Sequence, residues 1–297
     1  MKELNDLAAP SGVIVAMDTP FSDTGEYSSE RTRRLVDFLL ARKVSGLFIA
    51  GGTGLGGVLS IDERMSLTET VMQHVPSGFP VLVHVGSTTT ADSIALVQHA
   101  AEHRAPAAVL SSPEWFHRHE IEAVTEHFQL VCEAAPSMSM YFYRRSWDSW
   151  SPATISTLQN QLPNIVGVKD SANDITLHLE FLALPRLAIF QGYEPLATAS
   201  ILAGARGLVS GLATIFPEAV VSLYNKLLSG DLAAAKAQQA LVNQLVTITY
   251  KPSPYRRFKA VLHARGCPVG EVRRPFRPID ASEKEALMQQ LQILDVL

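Results

Sequence analysis

The feature that most constrains the fold is a repeated alternation of short apolar runs with longer amphipathic segments, beginning near residue 13. The apolar runs have the length and the β-branched content of strands, and helical periodicity follows each one. Strands are predicted at 13–17, 46–50, 80–85, 107–110, 138–143, 165–169, 187–191 and 207–210. Helices are predicted at about 29–43, 61–74, 91–104, 119–134, 152–161, 174–183, 195–204 and 217–228. The chain therefore alternates strand and helix eight times.

Eight strand–helix units are the number found in a closed (β/α)8 TIM barrel, whereas a doubly wound open sheet usually has about five to seven strands. An α/β barrel over residues 1–229 is therefore predicted. Residues 231–250, 254–264 and 282–296 have the patterns of three more helices. Because no linker rich in glycine, serine or proline precedes them, residues 230–297 are predicted to form a C-terminal helical extension packed on the barrel.

Composition and charge predict a soluble globular protein. The 297 residues carry a formal net charge of −4 and no basic tract that would neutralise phosphates, so nucleic acid is not an expected partner. No run approaches the roughly 18 apolar residues of a membrane span, and the N-terminus lacks a signal-peptide core. The cytoplasm is therefore the predicted location. Cys132 and Cys267 are too few for a disulfide framework, and both are predicted to be reduced packing residues.

Lys169 ends the apolar run Ile165-Val-Gly-Val-Lys169, which is typical of a strand buried on both faces. The other lysines lie in polar or helical surroundings. Burial disfavours the ammonium form, and a lysine whose pKa is lowered can attack a carbonyl carbon to form a Schiff base. The residues alone leave an alternative, in which Lys169 pairs with Asp170 or reaches solvent at the strand end.

Two tyrosines lie on the preceding predicted strand, in the run Met140-Tyr141-Phe142-Tyr143. Because side chains alternate along a strand, Tyr141 and Tyr143 are predicted to share one face. Active sites of such barrels lie at the C-terminal ends of the strands, where Lys169 is also expected. A tyrosine hydroxyl beside a Schiff-base lysine can relay protons. The alternative for each is a barrel-wall tyrosine bonded to a neighbour.

A glycine-rich turn, Gly51-Gly52-Thr53-Gly54-Leu55-Gly56-Gly57, follows the second predicted strand. Its spacing satisfies the G-x-G-x-x-G pattern of dinucleotide sites. The next strand passes into Gly86-Ser87, however, and not into the acidic residue that would bind a ribose, so dinucleotide binding is not expected. Successive N–H groups of such a turn, with the Thr53 hydroxyl, can hold a carboxylate. A plain tight turn is the alternative.

Histidines are numerous, but their spacing does not predict a metal site. His99 and His103 share a helix face, and His117 and His119 flank Arg118. Neither pair is accompanied by a carboxylate at a recognisable metal-ligand spacing. No G-x-S-x-G motif is present either, so a serine hydrolase of that type is not predicted.

Five features together, in order along the chain, resemble the dihydrodipicolinate synthase/N-acetylneuraminate lyase family: residues 12–21, the Gly51-Gly52-Thr53-Gly54 turn, Tyr143, residues 167–171 and residues 254–259. In that family a strand-6 lysine forms a Schiff base with pyruvate or another 2-oxo acid. A strand-5 tyrosine shuttles protons, and the Gly/Thr turn holds the carboxylate. The resemblance implies that Lys169 is the Schiff-base lysine and Thr53 a carboxylate ligand. It also implies that the chemistry requires no metal or organic cofactor.

The resemblance leaves two candidates for the tyrosine. A spacing of 28 residues before the lysine, usual in the synthase and the lyase, gives Tyr141, and a spacing of 26 gives Tyr143. The shorter spacing is that of the 5-dehydro-4-deoxyglucarate dehydratases, which also carry Gly-Gly-Thr-Gly and an arginine two places after the tyrosine, here Arg145. Tyr143 is therefore preferred. The residues implied to bind substrate are Gly52, Thr53, Gly54, Arg145, Ser171, Gly192 and Ser210.

Several positions depart from the synthase pattern. In its Gly-Thr-Thr-Gly-Glu turn, the first threonine is here Gly52 and the glutamate is Leu55. The tyrosine that one synthase subunit lends to its neighbour falls near residues 113–116, which contain none. The synthase's Asn-x-Pro-x-Arg is replaced by Arg144-Arg145-Ser-Trp-Asp. Lysine-pathway synthase activity is therefore not expected, and the two arginines would suit a second carboxylate or a polyhydroxylated acid.

The leading hypothesis is a Schiff-base lyase acting on a 2-oxo acid. It would be either an aldolase that releases pyruvate or a dehydratase of a deoxy-oxo sugar acid. The alternatives are a true dihydrodipicolinate synthase and a catalytically weak relative that binds oxo acids. The resemblance also implies a homodimer or homotetramer, with Glu114-Trp115-Phe116, whose two aromatic side chains are large and apolar, at a rim loop where subunits meet.

Overall fold

The computed structural model of the chain describes residues 10–113, 120–148 and 150–297. Its parallel strands close into a barrel in chain order, with β1 paired to both β2 and β8. The strands are β1 (Gly12–Ala16), β2 (Gly46–Ile49), β3 (Val81–His84), β4 (Ala107–Ser111), β5 (Ser139–Arg144), β6 (Ile165–Asp170), β7 (Ala188–Gln191) and β8 (Gly207–Ser210). The predicted (β/α)8 TIM barrel is confirmed.

One helix follows each strand and packs outside the barrel. These helices are α1 (Ser29–Leu40), α2 (Ile61–His74), α3 (Thr90–Glu102), α4 (Ile121–Glu133), α5 (Pro152–Gln161), α6 (Ile175–Leu182), α7 (Ala197–Leu202) and α8 (Pro217–Leu228). Three more follow the barrel: α9 (Leu232–Tyr250), α10 (Pro254–Ala264) and α11 (Ala281–Ile293). Within the described residues, no helix is long and apolar enough to cross a membrane.

Local signals placed several helix starts correctly. Ser60 accepts a hydrogen bond from the Glu63 amide, and the Glu63 carboxylate binds the Ser60 amide in return, which completes a capping box. Ser151 caps α5, with Pro152 in its first turn. Pro217 begins α8, where its missing N–H costs no intrahelical bond.

The predicted helix at 195–204 is the one that the structure changes most. Residues Glu194–Leu196 form a 3₁₀ turn, and only Ala197–Leu202 are α-helical. Pro195 has no N–H to donate and lies in the tight first turn, while Gly204 has a φ of 106° and ends the element. Three other predictions, 29–43, 91–104 and 282–296, extend past the helix ends and into residues with positive φ, at Lys43, Arg104 and Asp295.

The apolar core has two layers, inside and outside the barrel wall. Side chains that point into the barrel form a compact cluster that includes Ile14, Phe48, Val109, Tyr141 and Phe190. The alternate side chains join the apolar faces of the helices in a larger cluster around the barrel. Fully burying one such side chain contributes about 1.5–3 kcal/mol. The two layers together hold the strand ends at fixed positions.

A β-bulge interrupts the pairing of β5 with β6. Met140 pairs with Ile165, whereas Tyr141 pairs with Gly167, so Val166 has no partner in β5. A Cβ atom at Gly167 would collide with the Ala188 carbonyl oxygen and the Tyr141 ring. Glycine is therefore required where the backbone of β6 comes close to its neighbours.

The three C-terminal helices are joined to the barrel by a buried ion pair. Lys259 of α10 donates to Asp18 Oδ2 at 2.7 Å and to the Thr19 carbonyl oxygen at 2.9 Å. Both charged side chains are almost completely buried. Burial, the largest influence, lowers the pKa of Lys259 and raises the pKa of Asp18, although each group opposes the shift of the other. The pair therefore joins α10 to the segment that follows β1.

Candidate active site

Lys169 lies inside the barrel mouth, near the C-terminal end of β6. Its side chain is only 4% exposed, and Nζ lies 3.3 Å from the centroid of the Tyr143 ring. Nζ also lies 4.9 Å from the Phe48 ring centroid and donates a hydrogen bond to Ser171 Oγ at 3.3 Å. Strand pairing sets Tyr143 directly beside Lys169. The structure thus brings together the predicted lysine, the preferred tyrosine and Ser171.

Asp170 points away from Lys169, towards the helices. It accepts a hydrogen bond from Arg144 at 3.0 Å, and its other oxygen lies 2.9 Å from His178 Nδ1. The alternative in which Lys169 pairs with Asp170 is therefore wrong. The expectation that Arg144 lies beside the site is also wrong, because alternation along β5 turns this side chain outward, over the Phe181 ring.

The environment of Lys169 favours a neutral amine. Burial is the largest influence and lowers the pKa of Lys169 below its ordinary value, and the Arg145 guanidinium acts in the same direction. Tyr143 and the Glu194 carboxylate oppose this shift. A larger fraction of the amine therefore carries the free electron pair that attack on a carbonyl requires.

Tyr143 and Tyr141 point to the same interior, but at different depths. Burial would raise the pKa of Tyr143, yet the charges on Lys169 and Arg145 lower it below its ordinary value. Tyr141 lies one layer deeper, against the ring of Phe190, and its pKa is raised well above the ordinary value by burial. Tyr143 is therefore the better placed of the two to exchange a proton at the lysine.

The glycine-rich turn after β2 places Thr53 at the barrel mouth. The Thr53 hydroxyl lies close to Gly211, the residue after β8. A Cβ atom added to Gly211 would lie only 3.0 Å from Thr53 Oγ1. The Gly54 carbonyl oxygen accepts a hydrogen bond from Thr19 Oγ1 at 2.6 Å, which fixes the turn to the end of β1. Neither the Thr53 nor the Gly54 amide donates to a backbone carbonyl of the described residues. Gly52 is exposed beside them.

A buried carboxylate, Glu194, lies at the barrel mouth near this turn. Its Oε1 accepts hydrogen bonds from Ser210 Oγ at 2.7 Å, the Leu212 amide at 3.0 Å and the Tyr250 hydroxyl at 2.9 Å. Tyr250 belongs to α9, so the C-terminal helices reach the barrel mouth. Ser210, which was predicted to bind substrate, therefore donates its hydrogen bond to Glu194, a residue that the sequence did not indicate.

Gly192 lies against Ser171, and a Cβ atom there would overlap Ser171 Oγ. The Gly192 amide donates to the Asp170 carbonyl oxygen at 2.6 Å. Ser171 and Gly192, both of which were expected to bind substrate, are therefore in contact at the ends of β6 and β7, next to Lys169.

Arg145 lies at the rim, with its guanidinium 5.8 Å from the Tyr143 ring centroid. It donates to Asp148 Oδ2 at 3.2 Å and to the Ser112 carbonyl oxygen at 2.9 Å. These contacts hold the cation beside Tyr143, where it lowers the tyrosine pKa.

A second residue that sequence reasoning missed is His84, at the end of β3. Its Nε2 lies 3.1 Å from Ser111 Oγ and its Nδ1 lies 3.2 Å from the Ala50 carbonyl oxygen. The ring packs edge-on against Tyr143, with 6.0 Å between centroids. Burial, followed by the charges of Arg64, Arg145 and Lys169, lowers the pKa of His84 well below its ordinary value. A neutral imidazole therefore adjoins the site.

A closed parallel barrel with a buried lysine against a tyrosine at its C-terminal end is the arrangement expected of a Schiff-base-forming lyase that acts on 2-oxo acids. The profile of the dihydrodipicolinate synthetase family matches residues 9–294, and the chain belongs to that family. The predicted family is thereby confirmed, as is the prediction of a lyase.

Curated relatives and solved structures agree with this membership. The chain is 29% identical to the 4-hydroxy-tetrahydrodipicolinate synthase of Enterococcus faecalis, over 95% of this chain and 98% of the relative. It is 28% identical to the N-acetylneuraminate lyase of Salmonella typhimurium, over 95% and 97% of the two chains. Among solved structures, a prophage protein of the dihydrodipicolinic acid synthase family from E. coli K12, in complex with pyruvate, superposes with a TM-score of 0.91 at 25% identity, covering 97% and 99% of the chains.

Proposed function

We propose that Lys169 is the Schiff-base nucleophile of this lyase and that Tyr143 is its proton shuttle. The observation that carries the proposal is the position of the Lys169 Nζ, buried and 3.3 Å from the centroid of the Tyr143 ring. The lowered pKa of Lys169 favours the neutral nucleophile, and the lowered pKa of Tyr143 makes its hydroxyl easier to deprotonate than that of an ordinary tyrosine, as a proton shuttle requires.

In this mechanism Nζ of Lys169 adds to the C2 carbonyl carbon, and the proton that Nζ loses passes to the carbonyl oxygen, which becomes a hydroxyl. Tyr143 donates a proton to that hydroxyl, so that it leaves as water, and the products are the iminium and the Tyr143 phenolate. In the first route the phenolate takes the C4 hydroxyl proton while the C3–C4 bond breaks towards the iminium, which releases an aldehyde and leaves an enamine. Protonation and hydrolysis of the enamine release pyruvate. In the second route the phenolate takes a C3 proton, and Tyr143 returns it to the departing hydroxyl, so that water is lost.

Two groups of residues support substrate binding around this pair. The Thr53 hydroxyl, with the Thr53 and Gly54 amides, supports binding of the substrate carboxylate at the mouth. The Glu194 carboxylate and the Tyr250 hydroxyl supply further polar groups near this turn, which suits the hydroxyls of a sugar-derived chain. Both features favour a polyhydroxylated 2-oxo acid as the substrate.

Trapping with borohydride tests the proposal directly. Incubation with pyruvate and borohydride is expected to add one pyruvyl-derived mass per chain, located on Lys169 by peptide mass spectrometry. The Lys169→Arg variant should not be labelled. The Lys236→Arg variant, which changes an exposed lysine of α9, should be labelled like the unchanged chain. An adduct on another lysine, or none with any 2-oxo acid tried, would contradict the assignment.

Turnover requires a second assay, because trapping reports only imine formation. A panel of sugar-derived 2-oxo acids should be scored both for released pyruvate and for the dehydrated product. Pyruvate release identifies an aldolase, and water loss without pyruvate identifies a dehydratase. Trapping on Lys169 without turnover of any compound would favour a binding protein instead.

We also propose a homodimer or homotetramer, as the family resemblance implies, and a location in the cytoplasm, as expected from the sequence patterns described above. Residues 114–116, whose two aromatic side chains carry the interface expectation, lie outside the described residues. Sedimentation velocity at micromolar concentration is expected to give a dimer or a tetramer, and a monomer would contradict the proposal.

A further inference from the structure

Three side chains with metal-binding atoms meet on the outer helix layer, away from the barrel mouth. Glu69 belongs to α2, His99 belongs to α3, and His103 is the residue that ends α3. The Oε1 atom of Glu69 lies 3.1 Å from His99 Nε2 and 3.7 Å from His103 Nε2. The carboxylate that the spacing of the histidines did not reveal is therefore supplied by the neighbouring helix.

The separations fit one tetrahedral ion. Zinc binds imidazole nitrogen and carboxylate oxygen at about 2.0–2.2 Å, so two ligand atoms on one tetrahedral ion lie about 3.3 Å apart. The two measured separations from Glu69 Oε1 lie on either side of this value. One ligand atom from each of the three residues lies within 4.8 Å of the other two. Only small side-chain movements are needed to enclose an ion.

An ordinary hydrogen bond accounts for the contact of His99 with Glu69, but the 3.7 Å between His103 and the same oxygen is longer than a hydrogen bond. The rings of His99 and His103 are tilted by 32°, with 4.4 Å between centroids, and both approach the same oxygen of Glu69. Two imidazolium cations at that separation repel each other. One divalent ion would accept an electron pair from each neutral ring and from the carboxylate. Two imidazoles and a carboxylate suit zinc and its neighbours in the first transition row, and not calcium or magnesium.

The cluster is open enough for an ion to enter. The side chains of His99, His103 and Glu69 are 13%, 31% and 44% exposed, respectively. Water can therefore occupy the coordination positions that the protein leaves free. An ion here would bridge α2 and α3 and would not contact the groups around Lys169.

We propose that Glu69, His99 and His103 form a binding site for a divalent transition metal ion of the zinc type, which joins α2 to α3. The site is separate from the proposed chemistry, which proceeds without it. An ion that binds only the folded chain raises its stability, since it must be released before α2 and α3 separate.

Titration of the full chain with Zn²⁺ after treatment with a chelator tests the proposal. Isothermal titration calorimetry is expected to give one ion per chain, and Zn²⁺ should raise the Tm until EDTA is added. The His99→Ala/His103→Ala variant should lose both effects. Glu69→Gln should weaken binding by at least about 10-fold, the lower end of the loss seen when even a supporting group of a metal site is removed.

His74 provides a matched control on the same helix. It is partly exposed and lies 2.8 Å from Asp37, but these two residues belong to no three-ligand group in the described part of the chain. His74→Gln should therefore keep binding and the Tm shift. The proposal is overturned if no ion binds, if the double alanine variant still binds one, or if His74→Gln abolishes binding. The double variant should still trap pyruvate on Lys169 with borohydride. Failure of the metal proposal is therefore distinguishable from failure of the proposed function.

Discussion

Tyr143 lies beside Lys169 because Val166 of β6 has no partner in β5. Had the register of Met140 with Ile165 continued, Tyr143 would pair with Val168 and the outward-facing Arg144 would pair with Lys169. The bulge returns the lysine to the barrel interior at the level of the tyrosine. The proposed pair therefore depends on the backbone of β6 as well as on the two side chains.

The two tyrosines should differ in their effect on turnover. Tyr143→Phe is expected to lower kcat by about 10²-fold or more, the usual scale for a positioned acid–base group. Tyr141→Phe should lower it less, since that hydroxyl lies a layer deeper and its pKa is raised by burial. Steady-state kinetics with the preferred 2-oxo acid make the comparison. The reverse order would mean that the longer tyrosine-to-lysine spacing is the functional one.

The rate of imine formation should increase with pH through an inflection below 10.5, the ordinary pKa of a lysine, because the neutral amine is the nucleophile and burial lowers the pKa of Lys169. The same pKa shift sets how stability depends on pH. Because the pKa of Lys169 is lower in the folded chain, the unfolded chain binds the Lys169 proton more tightly. The contribution of Lys169 to the free energy of unfolding therefore rises with pH up to the ordinary pKa. Single-turnover trapping with cyanoborohydride across a pH series measures the inflection. A midpoint at or above the ordinary value would contradict the burial argument.

Glu194→Gln should reduce catalysis with extended substrates more than imine formation with pyruvate. The amide keeps the shape of the carboxylate but loses its charge, and a hydrogen bond to a charged group contributes about 1.5–3 kcal/mol. We expect kcat/KM for a polyhydroxylated 2-oxo acid to fall by about 10- to 100-fold, while pyruvate is still trapped on Lys169. Equal losses with both compounds would place Glu194 at the reacting end of the substrate.

Breaking the buried ion pair at α10 should destabilise the whole chain. Lys259→Met leaves the Asp18 carboxylate buried without its cation, which typically costs about 3–5 kcal/mol of unfolding free energy. The Asp18→Asn/Lys259→Met double variant should lose less, because no charge remains to be compensated. Urea denaturation followed by circular dichroism compares the two, with Lys236→Met as an exposed control. A double variant less stable than Lys259→Met would contradict this expectation, because it would mean that groups other than Lys259 stabilise the Asp18 carboxylate.

Condensation of pyruvate with aspartate semialdehyde should be slow. The synthase tyrosine lent between subunits has no counterpart at residues 113–116, and Arg144, one of the two arginines after β5, faces outward. We expect kcat/KM for this reaction to fall at least about 10²-fold below that for the preferred 2-oxo acid, the scale of one missing catalytic group. A coupled reductase assay measures it. Efficient condensation, or rescue of a strain that requires diaminopimelate, would restore the synthase alternative.

Hydrophobic periodicity was sufficient to predict the barrel, because each buried strand is a short apolar run and each outer helix has one apolar face. It also predicted that Tyr141 and Tyr143 share the interior. The same rule, applied to Arg144, would have placed that arginine outside the barrel. The bulge at Val166 was not predictable from alternation, and the only local signal for it is Gly167, whose missing side chain the bulge requires.

Contacts between distant segments were beyond the reach of the sequence. Glu194 lies just before the predicted helix 195–204, and its partner Tyr250 is 56 residues away at the end of another predicted helix. Nothing in either local pattern distinguishes a carboxylate at a barrel mouth from a solvated one. Glu69 and His99 are likewise 30 residues apart, on neighbouring helices. These sites arise from tertiary packing, which local spacing does not encode.

The Tyr250 hydroxyl, which donates to Glu194, affects how the substrate range of this enzyme can be changed by mutation. Libraries for barrel enzymes are usually confined to the loops that follow the strands. Such a library would leave one side of this pocket unvaried, because that side comes from the end of α9. Substitutions at Tyr250, combined with those at Glu194, should therefore give access to substrate shapes that loop variation alone cannot reach.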